Sequence, residues 1–96
     1  MQKEYAAGDI LFREGDPSDL VYRVTSGRVA IIKERPNAPL VLGRVRDGEF
    51  LGEMGVVEDQ PRSATAQAET PLVVEVFEAE EFMKLVCEDS ALALNL

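Results

Sequence analysis

A mainly β domain, built as a small antiparallel sandwich or barrel of seven or so short strands, is what this sequence predicts. Turn signals recur roughly every eight to twelve residues, the spacing of a sandwich or barrel. The run Leu72-Val73-Val74-Glu75-Val76-Phe77 is rich in β-branched and aromatic residues, which suit a pleated surface. Apolar side chains at helical spacing begin only after Glu78. At 96 residues the chain fits a single domain over residues 1–96, with strands to about 78 and helix over 79–96.

The elements follow in order. Ile10-Leu11-Phe12 is a short extended run, and Gly15-Asp16-Pro17-Ser18-Asp19 after it is a strong turn cluster. Leu20 to Thr25 alternates well enough for a strand, and Ser26-Gly27 reverses the chain tightly into Arg28 to Lys33, which predicts a hairpin. Arg35-Pro36-Asn37-Ala38-Pro39 carries two prolines and cannot continue a central strand. Leu40 to Arg46 resumes the extended pattern, and Asp47-Gly48 turns it before the Leu72 to Phe77 strand is reached. Glu80 and Glu81 favour a helix N-terminus, with Phe82, Leu85 and Val86 on one face. Asp89 or Ser90 caps a second helix through Ala91-Leu92-Ala93-Leu94, which Leu96 ends after about one and a half turns.

Composition narrows the function classes. Ten Lys and Arg against eighteen Asp and Glu give a formal charge of −8, with the basic residues scattered, so a nucleic acid partner for this segment is not expected. No apolar run approaches membrane-spanning length, and Met1-Gln2-Lys3-Glu4-Tyr5 lacks the apolar core of a signal peptide. The single Cys87 leaves no intramolecular disulfide, and together these features lead to an expected cytoplasmic setting. Histidine is absent, which removes the usual metal cluster of cupin-type barrels and the usual general base. A non-catalytic role is expected, with no metal site. Gly15 to Asp19 offers oxygens but lacks the central glycine and late glutamate of a calcium loop, so it reads as a plain turn.

The chemistry concentrates in Phe50-Leu51-Gly52-Glu53-Met54-Gly55-Val56-Val57-Glu58-Asp59-Gln60-Pro61-Arg62-Ser63-Ala64-Thr65-Ala66. An arginine offers a planar fork to phosphate oxygens, a glutamate accepts a sugar hydroxyl, and glycines let backbone amides approach a ligand. That set suits a sugar joined to a phosphate. The alternative for the same pair is structural: Glu53 and Arg62 could bridge each other across the turn.

This cassette, preceded in order by the Gly15 to Asp19 turn, Tyr22, Gly27 and Gly48-Glu49, resembles the cyclic nucleotide-binding domain of bacterial catabolite activator proteins, of the regulatory subunits of cyclic AMP-dependent kinase and of cyclic nucleotide-gated channels. The likeness spans nearly the whole chain. It implies a double-stranded, jelly-roll-like antiparallel β-roll of about eight strands with short flanking helices. It also implies that Arg62 pairs with the exocyclic phosphate oxygens and Glu53 with the ribose 2′-hydroxyl. Gly52, Met54, Ala64 and the amides of a short helix beginning near Glu53 would complete the cradle, with Ser63 adding a hydroxyl. Ile31, Leu42 and Val45 would stack against the purine of cyclic AMP or cyclic GMP. No other cofactor is implied.

Family members continue into a long helix that closes over the base and often forms the dimer interface. With that helix only begun, the resemblance implies a fragment of a larger regulator or a stand-alone roll, with a homodimer partner or a fused or docked effector to receive the signal. A degenerate roll serving as a protein-interaction or dimerisation module is the competing expectation.

Overall fold

The computed structural model describes residues 1–88. The strands are β1 (Gln2–Tyr5), β2 (Ile10–Phe12), β3 (Leu20–Ser26), β4 (Arg28–Lys33), β5 (Leu40–Arg46), β6 (Phe50–Leu51), β7 (Thr65–Ala68) and β8 (Leu72–Glu78). The helices are α1 (Glu53–Glu58), between β6 and β7, and α2 (Ala79–Glu88), after β8. They form two four-stranded sheets of order β1-β8-β3-β6 and β2-β7-β4-β5, and every strand pairing is antiparallel. This is the mainly β antiparallel roll expected from the sequence. The second helix expected over Ala91 to Leu94 lies outside the described residues.

The sheets face one another across a core that includes Tyr22, Val24, Val29, Leu51, Ala66, Leu72, Val74 and Val76. Along β8 the buried residues alternate, with Leu72, Val74 and Val76 inward and Val73, Glu75 and Phe77 on the opposite face, as a strand of period two requires. The opposite face is also covered: Phe82 and Val86 of α2 pack with Val21, Phe50, Val56 and Phe77. A strand buried on both sides can carry apolar residues in succession, which is why Leu72 to Phe77 reads so strongly.

Three of the eight strands, β1, β6 and β7, are not among the five that the sequence placed. β1 is polar and mostly exposed, so its strand character comes from pairing with β8 along Gln2 to Tyr5. β6 and β7 flank the cassette and lend it residues. Edge strand β5 is nearly all exposed, and its register with β4 jumps from Ile31 opposite Gly43 to Ile32 opposite Val41. Leu42 is the extra residue of that bulge.

Gly27 joins β3 to β4 at φ +112°, and a Cβ there would lie 2.5 Å from the Pro71 carbonyl oxygen. Backbone on one side and a left-handed conformation on the other leave alanine no relief. Gly27→Ala is expected to lower stability by about 1–3 kcal/mol, read as a reduced urea midpoint; an unchanged midpoint would show that the hairpin relaxes freely.

Candidate functional site

The cleft of about 330 Å³ opens where α1 and the residues after it meet the open side of the roll. Gly52 enters α1 at φ +83°, and Asp59 leaves it at φ +54°, so six residues of helix are bracketed by left-handed turns. A Cβ on Gly52 would meet the Arg62 Nη1 at 2.3 Å, and one on Gly55 would meet the Ser18 Oγ at 2.3 Å. Both glycines are therefore sites of close approach: the first lets the arginine in, and the second lets the β2–β3 connection lie against α1.

Arg62 is only 5% exposed, and its main chain and side chain are both held. The Gly15 amide donates to the Arg62 carbonyl and the Arg62 amide donates to the Asp16 carbonyl, each at 2.8 Å. Its Nη1 donates to the Gly52 carbonyl at 2.8 Å, and its Nη2 donates to the Leu20 carbonyl. The guanidinium carbon lies 4.1 Å from the centroid of the Phe12 ring. Its buried Nε has no partner, and none of the ion pairs among the described residues includes Arg62. The bridge to Glu53 that the sequence left open is thus not formed. Burial pulls the Arg62 guanidinium below the ordinary arginine range, while Tyr22, Asp19, Asp16 and Glu53 act against that shift. Burial also pushes the Tyr22 phenol up to about 12, so it stays neutral beside the arginine.

Of the residues singled out from the sequence, Gly52, Glu53, Met54, Arg62, Ser63 and Ala64 all line this cleft. Ile31 and Val45 line it from β4 and β5, as half-buried neighbours of the main core. Leu42 stands apart, 57% exposed and absent from the cleft wall. It lies three positions from Val45, and an odd separation along a strand places two side chains on opposite faces. Leu42 is accordingly left out of the base-facing set.

Phe12 also lines the cleft and was not picked out from the sequence, while Phe50, Glu58 and Gln60 of the cassette line it without having been given a role. Phe12 and Phe50 sit in separate apolar runs that nothing local connects. The β2–β3 turn was read as a plain turn, yet its Gly15 and Asp16 fix the arginine backbone. A network extends that brace: the Glu14 amide donates to Thr65 Oγ1 at 3.0 Å, and Lys33 Nζ donates to Glu14 at 3.1 Å and to the Ser63 carbonyl at 3.2 Å.

The cleft therefore combines a buried cation with no paired carboxylate among the described residues, a carboxylate in reach of solvent and a partly apolar wall. Residues 2–89 match the cyclic nucleotide-binding domain family. The chain is 29% identical over 83 residues to the cAMP-dependent protein kinase regulatory subunit of Emericella nidulans, an alignment covering 86% of this chain and 20% of that protein. It is 32% identical over 91 residues to the lysophospholipase nte1 of Aspergillus fumigatus, covering 94% of this chain and 6% of that one. It thus spans a fifth or less of the length of these relatives.

Among solved structures it is similar to the EAL enzyme Bd1971. The cAMP-bound form gives a TM-score of 0.85 at 25% identity, covering 98% of this chain and 26% of that one. The cGMP-bound form gives 0.86 at 26%, covering 93% and 24%. The eight-stranded antiparallel roll, the cleft at its open side and the match over residues 2–89 lead to one conclusion: the chain belongs to the cyclic nucleotide-binding domain family.

Proposed function

We propose that this chain is a non-catalytic sensor that binds cyclic AMP or cyclic GMP, with Arg62 holding the phosphate and Glu53 the ribose. One observation carries the reading: Arg62 is buried at 5% exposure with no carboxylate paired to it among the described residues, and it lines a cleft of about 330 Å³. A buried charge without a partner is expensive. A bound monoanion supplies the missing charge, and a cyclic phosphodiester is such an anion. The cleft lies within the ~300–1,000 Å³ typical of small-ligand sites.

Glu53 on the same wall accepts a hydrogen bond from a hydroxyl, so a sugar on the anion is favoured over a bare phosphate. Ile31 and Val45 offer aliphatic faces for the purine, Gly52, Met54 and Ala64 shape the floor, and Ser63 adds a hydroxyl donor. The ligand acts by binding one arrangement of α1 and the C-terminal helix more tightly than another, and a fused or docked effector reads that difference. The setting is the cytoplasm.

The test is the ribose contact. A hydrogen bond to a charged group contributes about 1.5–3 kcal/mol, so the parent should prefer cyclic AMP over its 2′-deoxy analogue by about tenfold or more. Glu53→Ala should bind the two almost equally. Equal discrimination in parent and variant would remove Glu53 from the ribose site.

A second reading, a roll that serves as a protein-interaction or dimerisation module, draws on the apolar edge of β5, where Leu40, Val41 and Leu42 are 41%, 44% and 57% exposed. It requires the parent to bind no cyclic nucleotide.

A further inference from the structure

Arg62 has five N–H donors to place. Nη1 and Nη2 each give one to the Gly52 and Leu20 carbonyls, and Nε is enclosed without a partner. The group also lies over the ring of Phe12, whose centroid is 4.1 Å from the guanidinium carbon. The electron-rich face of an aromatic ring attracts a cation placed over it, most strongly where water is excluded. Stacking uses the face of the guanidinium, whereas an oxyanion is bound by the in-plane N–H groups, so one partner does not displace the other.

We infer that Phe12 is a positioning residue for the ligand phosphate: its ring holds the Arg62 guanidinium charged and oriented, so that the remaining donors meet the anion without rearrangement. The inference rests on the reading of Arg62 as the phosphate ligand. Phe12 is itself supported by Tyr22, with ring centroids 6.0 Å apart, and by its place in β2 against β7, opposite Ala66. The arginine is therefore fixed from β2, β3 and the entry to α1 together. A floppy arginine would lose side-chain freedom on binding; one already stacked loses little.

The experiment compares the parent with Phe12→Leu, which keeps apolar bulk without a ring, and with Phe12→Tyr, which keeps the ring. Binding of cyclic AMP and of uncharged adenosine is measured for each, with urea unfolding as the check on folding. Phe12→Leu should weaken cyclic AMP by about three- to thirtyfold and leave adenosine roughly unchanged, and Phe12→Tyr should restore most of the loss. Equal cyclic AMP affinity in parent and Phe12→Leu overturns the inference alone. A parallel loss for cyclic AMP and adenosine also overturns it, since that is plain packing. A parent that binds no cyclic nucleotide overturns the proposed function and this inference with it.

Discussion

Arg62→Ala is expected to weaken cyclic nucleotide binding by about a hundredfold or more, the largest loss of any single substitution in the cleft. Two charge-assisted hydrogen bonds to a phosphate are together worth about 3–6 kcal/mol, and each 1.4 kcal/mol is about tenfold in the dissociation constant. The fold should suffer less than the binding. Removing the side chain leaves the Leu20 and Gly52 carbonyls without their donors, but it also removes a buried cation that lacks an anion, and those effects oppose each other. Removal of an exposed cation such as Lys3 should do little, because surface charges are screened. Calorimetric titration of the variant checks this, with thermal unfolding run alongside; an affinity equal to the parent's would take Arg62 out of the site.

Phe82→Ala is expected to produce the largest loss of stability. Phe82 is 2% exposed and packs edge-on against Phe50 with ring centroids 5.7 Å apart, in the small cluster that joins α2 to the outer face of the β1-β8-β3-β6 sheet. Truncating a buried phenylalanine costs about 3–5 kcal/mol. A domain of this size holds about 5–15 kcal/mol in all, so a large share of the margin is lost and the α2 end is exposed first. The urea midpoint and the thermal midpoint should both fall. Phe50 also lines the cleft, so nucleotide affinity should drop as well, though by less than in Arg62→Ala. A loss under about 1 kcal/mol would show that the cluster collapses to fill the space.

The two predictions separate what the sequence made legible from what it hid. That Gly52, Glu53 and Arg62 share one cleft wall was legible because a fork-shaped cation and a hydroxyl acceptor set between glycines in one short stretch suggest a common site. The strands from Leu20 to Lys33 and from Leu72 to Phe77 were readable because turn residues and β-branched runs act locally. β1 was hidden because Gln2 to Tyr5 is polar and becomes a strand only by pairing with β8.

The cleft wall shows the same division. Val45 and Leu42 both looked like apolar candidates for the purine, yet their odd separation along β5 puts Val45 against the roll and Leu42 out to solvent. The grip on the arginine was hidden most thoroughly. Leu20, Phe12 and Asp16 lie more than forty positions from Arg62 along the chain, and no spacing rule links a turn or a ring in β2 to a side chain after α1. Only the closed roll brings them together.

Neutralising a ringed phosphate on Arg62 is the role we propose for the cleft. Titrating the chain with cyclic AMP and then with cyclic GMP by isothermal calorimetry tests it most directly. Saturable binding of at least one of them at one site per chain is expected. A flat thermogram with both, from protein that unfolds cooperatively, would contradict it.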